Sequence, residues 1–327
     1  MKRREFITLL GGAAGASWPL AARAQQPAMP VIGLLQIGPP GSWDFTGFRQ
    51  GLKELGYFEG QNLAVEYRWA NGDPDRLREL AADLSNRPVR VIVSLGSTLS
   101  ARAAKAATNT IPVAFGLGSD PVQEGLVASV NRPGGNVTGV TSQSGALFGK
   151  QFGILHDLLP QAAHFAVLSN LQSPLHEAVV KETQAVASVI GVTVEVLTAH
   201  TSKEIAAVFS RLASEKNIQG LLVSNDPLFI SERVQLAILA ARFAVPAIYP
   251  FREQAEAGGL LSYGPDLVDR DRQVGRYVGR ILNGEKPADL PVQQESKFEF
   301  VINLKTANAL GLTISSAMQL LADRVIE

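Results

Sequence analysis

The chain has 327 residues, with 30 Lys and Arg against 30 Asp and Glu, and it contains no Cys. At roughly 150 residues per domain, this length predicts two domains, each with its own core. The absence of Cys excludes a disulfide framework, a thiolate metal site, a thiol nucleophile and a lipidated N-terminal Cys.

The zero net charge conceals an asymmetry. Lys2, Arg3, Arg4 and Arg23 face only Glu5 in residues 1–24, so the remainder holds 26 basic and 29 acidic side chains, a net −3. That balance argues against a nucleic-acid partner. Residues 1–26 have a positive start, a short weakly apolar run from Thr8 to Leu20, and Ala22-Arg23-Ala24 before Gln25. This is the layout of a cleaved secretory signal peptide, and Arg3-Arg4 followed by Phe6 resembles a twin-arginine export motif. Thr8–Leu20 is too short to span a bilayer. The expectation is export to the bacterial periplasm.

From Val31 onward, short apolar runs alternate with amphipathic stretches, the mark of an α/β fold with parallel sheets. Val31–Ile37 reads as a strand. Phe45, Phe48, Leu52 and Leu55 follow at helical spacing, and Gly56 closes that helix. Leu63, Val65 and Tyr67 alternate as a strand. Asp73 then caps a helix with Pro74 at its first position. Val91–Leu95, the helix Ser97–Ala107 and Ile111–Phe115 complete the first run. Asn131–Gln143 is turn-rich and reads as a crossover between lobes.

The programme then repeats. Phe165–Leu168 is a strand, a helix opens at Ser173-Pro174, and Val192–Leu197 is a strand. Thr201-x-x-Glu204 is a capping box, Gly220–Val223 a strand, Glu232–Phe243 a helix and Ala247–Tyr249 a strand. Equivalent elements lie roughly 130 residues apart. A second crossover is expected at Gly258–Pro265, with Asp269–Leu282 returning to the first lobe. Phe298–Ile302 would be a late strand of the second lobe, and a terminal helix is expected near Ser316–Arg324. The expected fold class is α/β, two doubly wound lobes joined by a multi-strand hinge. The first lobe comprises residues 31–140 plus about 266–290, the second 141–262 plus about 291–327.

In doubly wound sheets, ligands bind beyond the carboxyl ends of the strands. The candidates in the first lobe are Gln36 and Trp43 after the first strand, Ser97 and Thr98 after the third, and Ser119 and Asp120 after the fourth. In the second lobe they are Asn170, Asn225, Asp226 and Phe251, while Ser144 and Tyr263 come from the crossovers. Gly96-Ser97-Thr98 opening a helix suits a carboxylate, though Ser97 serves equally as an ordinary cap. Trp43, Phe251 and Tyr263 would sandwich an apolar ligand body, unless Trp43 only packs the entry of the first helix. Asp120 and Asp226 either hold an ammonium or form Asp-Pro turns. Arg252 would pair a carboxylate or cross the cleft to an acid. The four His show no metal spacing, and no nucleophile elbow or phosphate-binding loop is present, so neither metal, cofactor nor catalysis is expected.

Several segments together carry a resemblance. They are Thr110-Ile111-Pro112-Val113-Ala114-Phe115, Ser119-Asp120-Pro121-Val122, Gly125-Leu126-Val127 and Asn131-Arg132-Pro133-Gly134-Gly135-Asn136. With them go Phe48-x-x-Gly51-Leu52-x-x-Leu55-Gly56-Tyr57 and Glu256-Ala257-Gly258-Gly259-Leu260. The chain from about Val31 onward resembles the ABC-transporter substrate-binding proteins of the tryptophan/tyrosine type. Gln294-Glu295 and Ser315-Ser316 depart from the usual pattern, away from the expected cleft. The resemblance implies a periplasmic-binding-protein type I fold that delivers a small organic solute (an amino acid, aromatic acid or similar carboxylate) to an inner-membrane ABC permease, with a monomer expected. An exported sensor module or a hydrolase using the same cleft stays open beside it.

Overall fold

The computed structural model describes residues 29–142, 147–215, 217–295 and 297–327. The expected signal peptide and Ser144 lie outside them.

The first run comprises β1 (Val31–Gln36), α1 (Thr46–Glu54), β2 (Ala64–Trp69), α2 (Pro74–Ser85), β3 (Val91–Leu95), α3 (Thr98–Ala107), β4 (Val113–Leu117) and β5 (Val137–Thr141). Its strands form a parallel sheet in the order β5-β4-β3-β1-β2. β3 and β4 are buried at every position, as Val/Ile/Leu-rich strands covered on both faces must be. Asp73 caps α2 as expected, accepting from the backbone N–H groups of Asp75 and Arg76, with Pro74 at the first turn.

The second run comprises α4 (Phe148–Leu158), β6 (His164–Ser169), α5 (His176–Ile190), β7 (Thr193–Thr198), α6 (Ser202–Glu215), β8 (Gly220–Val223), α7 (Pro227–Ser231), α8 (Arg233–Arg242), β9 (Ala247–Tyr249), α9 (Arg252–Glu256) and β10 (Leu261–Pro265). Its sheet repeats the first in the order β10-β9-β8-β6-β7. The capping box is shifted by one residue. Thr201 Oγ1 accepts from the Glu204 N–H, but the Glu204 carboxylate accepts from the N–H of His200, not Thr201. α5 begins two residues later than Pro174, because Ser173–Leu175 form a turn closed by the His176 N–H on the Ser173 carbonyl.

The chain then returns. α10 (Leu267–Leu282) packs on α1, where Gly47, Gly51 and Gly275 let the backbones meet; a methyl group at Gly47 would run into the Val268 carbonyl oxygen. β11 (Gln293–Gln294) pairs with β5, and β12 (Phe298–Asn303), α11 (Leu304–Ala309), α12 (Ser316–Leu321) and β13 (Arg324–Ile326) complete the second lobe. Each sheet carries an apolar cluster on both faces, such as Leu35, Ile92 and Phe115 on one side of the first sheet and Leu34, Val93 and Val274 on the other.

The crossings differ from expectation in three places. Residues 131–143 contain strand β5, which pairs with β4 over five residues, so the first sheet extends past residue 140; the Pro-Gly-Gly turn only leads into the strand. Gly258–Pro265 ends in β10, and the crossing falls at Asp266, which caps α10. β11 keeps residues 293–294 on the first sheet, so the final crossing comes after Glu295. The crossings lie side by side: the Glu295 N–H donates to the Thr141 carbonyl at 2.7 Å, and the Asp266 N–H donates to that of Lys297 at 3.4 Å. The terminal helix stops at Leu321, short of the expected Arg324, and Arg324 instead opens β13, which pairs parallel to β12.

Candidate functional site

The carboxyl ends of the strands of both sheets face one cavity of about 390 Å³, a size ordinary for a small-molecule site. Gly38 and Pro39 come from the end of β1, Asn71, Gly72 and Pro74 from the end of β2, and Gly96–Leu99 from β3. The opposing wall takes Asn170 and Ser173–Leu175 from the end of β6, His200–Ser202 from β7, and Asn225–Leu228 with Ser231 and Glu232 from β8.

The first-lobe wall is built on backbone. Gly96 has φ +75°, and the Trp43 indole lies where a side chain at this position would stand, so only glycine fits on both counts. Ser97 follows as the cap of α3, accepting from the Ser100 N–H at 3.2 Å. Thr98 Oγ1 lies 2.8 Å from Ser119 Oγ. The amino end of this ten-residue helix, with its free N–H groups, therefore borders the cavity. Every side chain that this lobe contributes to the lining is uncharged.

The second-lobe wall carries acids and amides. Asp226 caps α7, with Oδ1 accepting from the Leu228 N–H at 2.9 Å and Asn170 Nδ2 at 3.3 Å from both carboxylate oxygens. Burial pushes the Asp226 carboxyl above its usual range, outweighing the hydrogen bonds that pull it down. The His200 imidazole, at the far end, lies 2.8 Å from Glu204.

Five expected residues, Ser97, Thr98, Asn170, Asn225 and Asp226, line this cavity. Ser119 supports Thr98 from behind. Gln36 is buried under the cleft at the end of β1, and its Nε2 has no partner among the described residues. Asp120 is a turn former, accepting from the N–H groups of Val122 and Gln123.

The aromatic sandwich is not formed. Trp43 Nε1 donates to Asp271 Oδ2 at 2.7 Å, and its ring packs with Ile230, Phe251 and Leu267 where the lobes meet. Tyr263 stacks on Phe298 in the second sheet, with ring centroids 6.3 Å apart. All three rings are taken by core and hinge, so the cavity's apolar surface comes from residues such as Pro39, Pro74, Leu99, Pro174 and Leu175. Arg252 pairs with Glu299 at 3.0 Å inside the second lobe and does not cross the cleft.

Sequence reasoning missed Asn71, Gly72 and Pro74, His200–Ser202 and Glu232. The rule that found the other loops covers them too, because the edge strands β2 and β7 end at the same rim. Among the described residues, no group of three His, Asp or Glu is placed to hold a metal ion, and no helix is long and apolar enough to cross a membrane.

A tyrosine-binding protein of Clostridioides difficile (strain R20291) is 27% identical over 288 residues, which is 88% of this chain and 82% of that protein. The structure of an ABC domain in complex with L-Trp from Streptococcus pneumonia is 28% identical and superposes with a TM-score of 0.80, covering 91% of this chain and 99% of that one. The ligand-free, open structure of a Clostridium difficile substrate binding protein with adhesive properties, 26% identical with the same coverage, superposes at 0.62. The family model of ABC transporter substrate binding proteins matches residues 38–326. Doubly wound lobes, a shared cleft at their strand ends and a family match over nearly the whole length lead to one conclusion: the chain belongs to the ABC transporter substrate binding proteins.

Proposed function

We propose that this protein captures a zwitterionic amino acid between its lobes in the periplasm, as a monomer, and hands it to an inner-membrane ABC permease. The observation that carries the reading is the opposed chemistry of the two walls. The first lobe offers N–H and O–H donors at the amino end of α3, suited to a carboxylate. The second offers Asp226, suited to an ammonium. Tyrosine and L-Trp, named with two relatives, are zwitterions of this kind. The higher TM-score against the L-Trp complex than against the open structure, at nearly equal identity, supports a lobe arrangement close to a ligand-bound one. Closure follows binding only if the solute contacts both lobes, since a ligand shifts the equilibrium by its differential affinity. The export signal read in residues 1–26 supports the location.

The test is ligand-induced thermal stabilisation with amino acids. A ligand at 100 times its Kd adds about 2.7 kcal/mol to the stability of the wild-type chain. Ser97→Ala combined with Asp226→Ala is expected to abolish that gain, and an unchanged gain in the double variant contradicts the site.

A further inference from the structure

The charges lining the cavity are one-sided. Among the described residues of the lining, Asp226 and Glu232 are acidic and there is no Lys or Arg. The undescribed residues between Ser142 and Leu147 are Gln143, Ser144, Gly145 and Ala146, which are uncharged. The His200 imidazole is turned to Glu204.

The two acids differ in how they are held. Asp226 is fixed by the Leu228 N–H and by Asn170. Glu232, just past the other end of α7 and on the cavity lining, has no hydrogen-bond or ion-pair partner for its carboxylate among the described residues. It does not cap α8, whose first position it precedes, and the neighbouring Arg233 guanidinium donates to the Ile230 carbonyl instead. The five-residue helix α7 lies between the two acids, ~8 Å of axis at 1.5 Å per residue, which is on the scale of an amino acid's reach from its ammonium to its side-chain tip. A carboxylate that loses water when the lobes close over a solute needs a donor in exchange.

We infer that Glu232 selects the far end of the solute: the side chain of the bound amino acid ends in an N–H or O–H donor, a cationic one being favoured, and not in a methyl, a phenyl or a carboxylate. This rests on the amino-acid reading above and goes beyond it by naming the side-chain class.

The experiment is a thermal-shift screen of the full chain against the twenty proteinogenic amino acids, followed by calorimetric titration of the tightest binder and an analogue lacking its terminal donor, on wild type and on Glu232→Gln. The expected result is a donor-ended ligand that weakens about tenfold in Glu232→Gln, while the analogue changes less than twofold. A tightest binder ending in an apolar or carboxylate group, or an equal loss for both ligands, overturns the inference and leaves the receptor reading standing. No shift with any of the twenty overturns both.

Discussion

The two lobes share a strand order and differ in what they bring to the cleft. β2-β1-β3-β4-β5 and β7-β6-β8-β9-β10 correspond one to one. At the same rim, however, the first lobe presents backbone donors and hydroxyls on a glycine turn, and the second presents Asn170, Asn225, Asp226 and Glu232. The lobes also stabilise their rims differently. Behind Gly96 lies Trp43, bonded to Asp271, which in turn holds the fully buried Arg270 at 2.9–3.0 Å. Behind Asp226, among the described residues, lie Asn170 and the turn before α5. A repeated fold supplies matching positions, and what stands at those positions gives the two proposed walls their opposite chemistry.

This contrast predicts that lesions in the first lobe act through stability and backbone shape, and lesions in the second through charge. The largest effect is expected from Asp271→Ala. It leaves the Arg270 guanidinium buried without a counter-ion and the Trp43 N–H without an acceptor, a loss of about 3–5 kcal/mol in chemical denaturation. Asp226→Asn is expected to weaken an amino-acid ligand about a hundredfold in calorimetric titration, the worth of one charge-assisted contact.

The same variant carries a pH signature. Burial holds the Asp226 carboxyl above its unfolded value, so its contribution to stability is present at low pH and lost as pH rises through the raised folded value. Unliganded Asp226→Asn should therefore melt higher than wild type at neutral pH, and the difference should shrink on acidification. Wild-type affinity should fall as pH drops through the same range, because the ammonium needs the carboxylate.

Gly96→Ala should cost about 2 kcal/mol through left-handed strain and contact with the Trp43 ring, and should lower affinity as the α3 amino end is displaced. The smallest effect is expected from Ser315→Ala, which removes only the α12 cap: about 0.5–1 kcal/mol of stability and no change in binding.

Much of the framework was legible because βαβ periodicity and the Asp73-Pro74 helix start are local signals. Strand β3 and the Asp73 cap needed nothing beyond neighbouring residues. The misread regions depend on distant partners. β5 follows a Pro-Gly-Gly turn that looks like a linker, and pairing with β4 makes a strand of it. β11 has two residues, too few for any period, and β13 is defined by pairing with β12. In the site, strand-end logic found Ser97 and Asp226, but residue type misled for the rings. Trp43 and Phe251 are large enough to serve either as ligand walls or as the contact between lobes, and the buried Asp271 acceptor, 228 residues from Trp43 in sequence, decides it.

One titration addresses the two-walled site most directly: the tightest-binding amino acid set against its decarboxylated amine and its deaminated acid. Each analogue removes the group that one lobe is proposed to hold. Affinity at least about a hundredfold weaker for both is the predicted result. If either analogue binds within tenfold of the parent amino acid, only one wall is engaged and the account is contradicted.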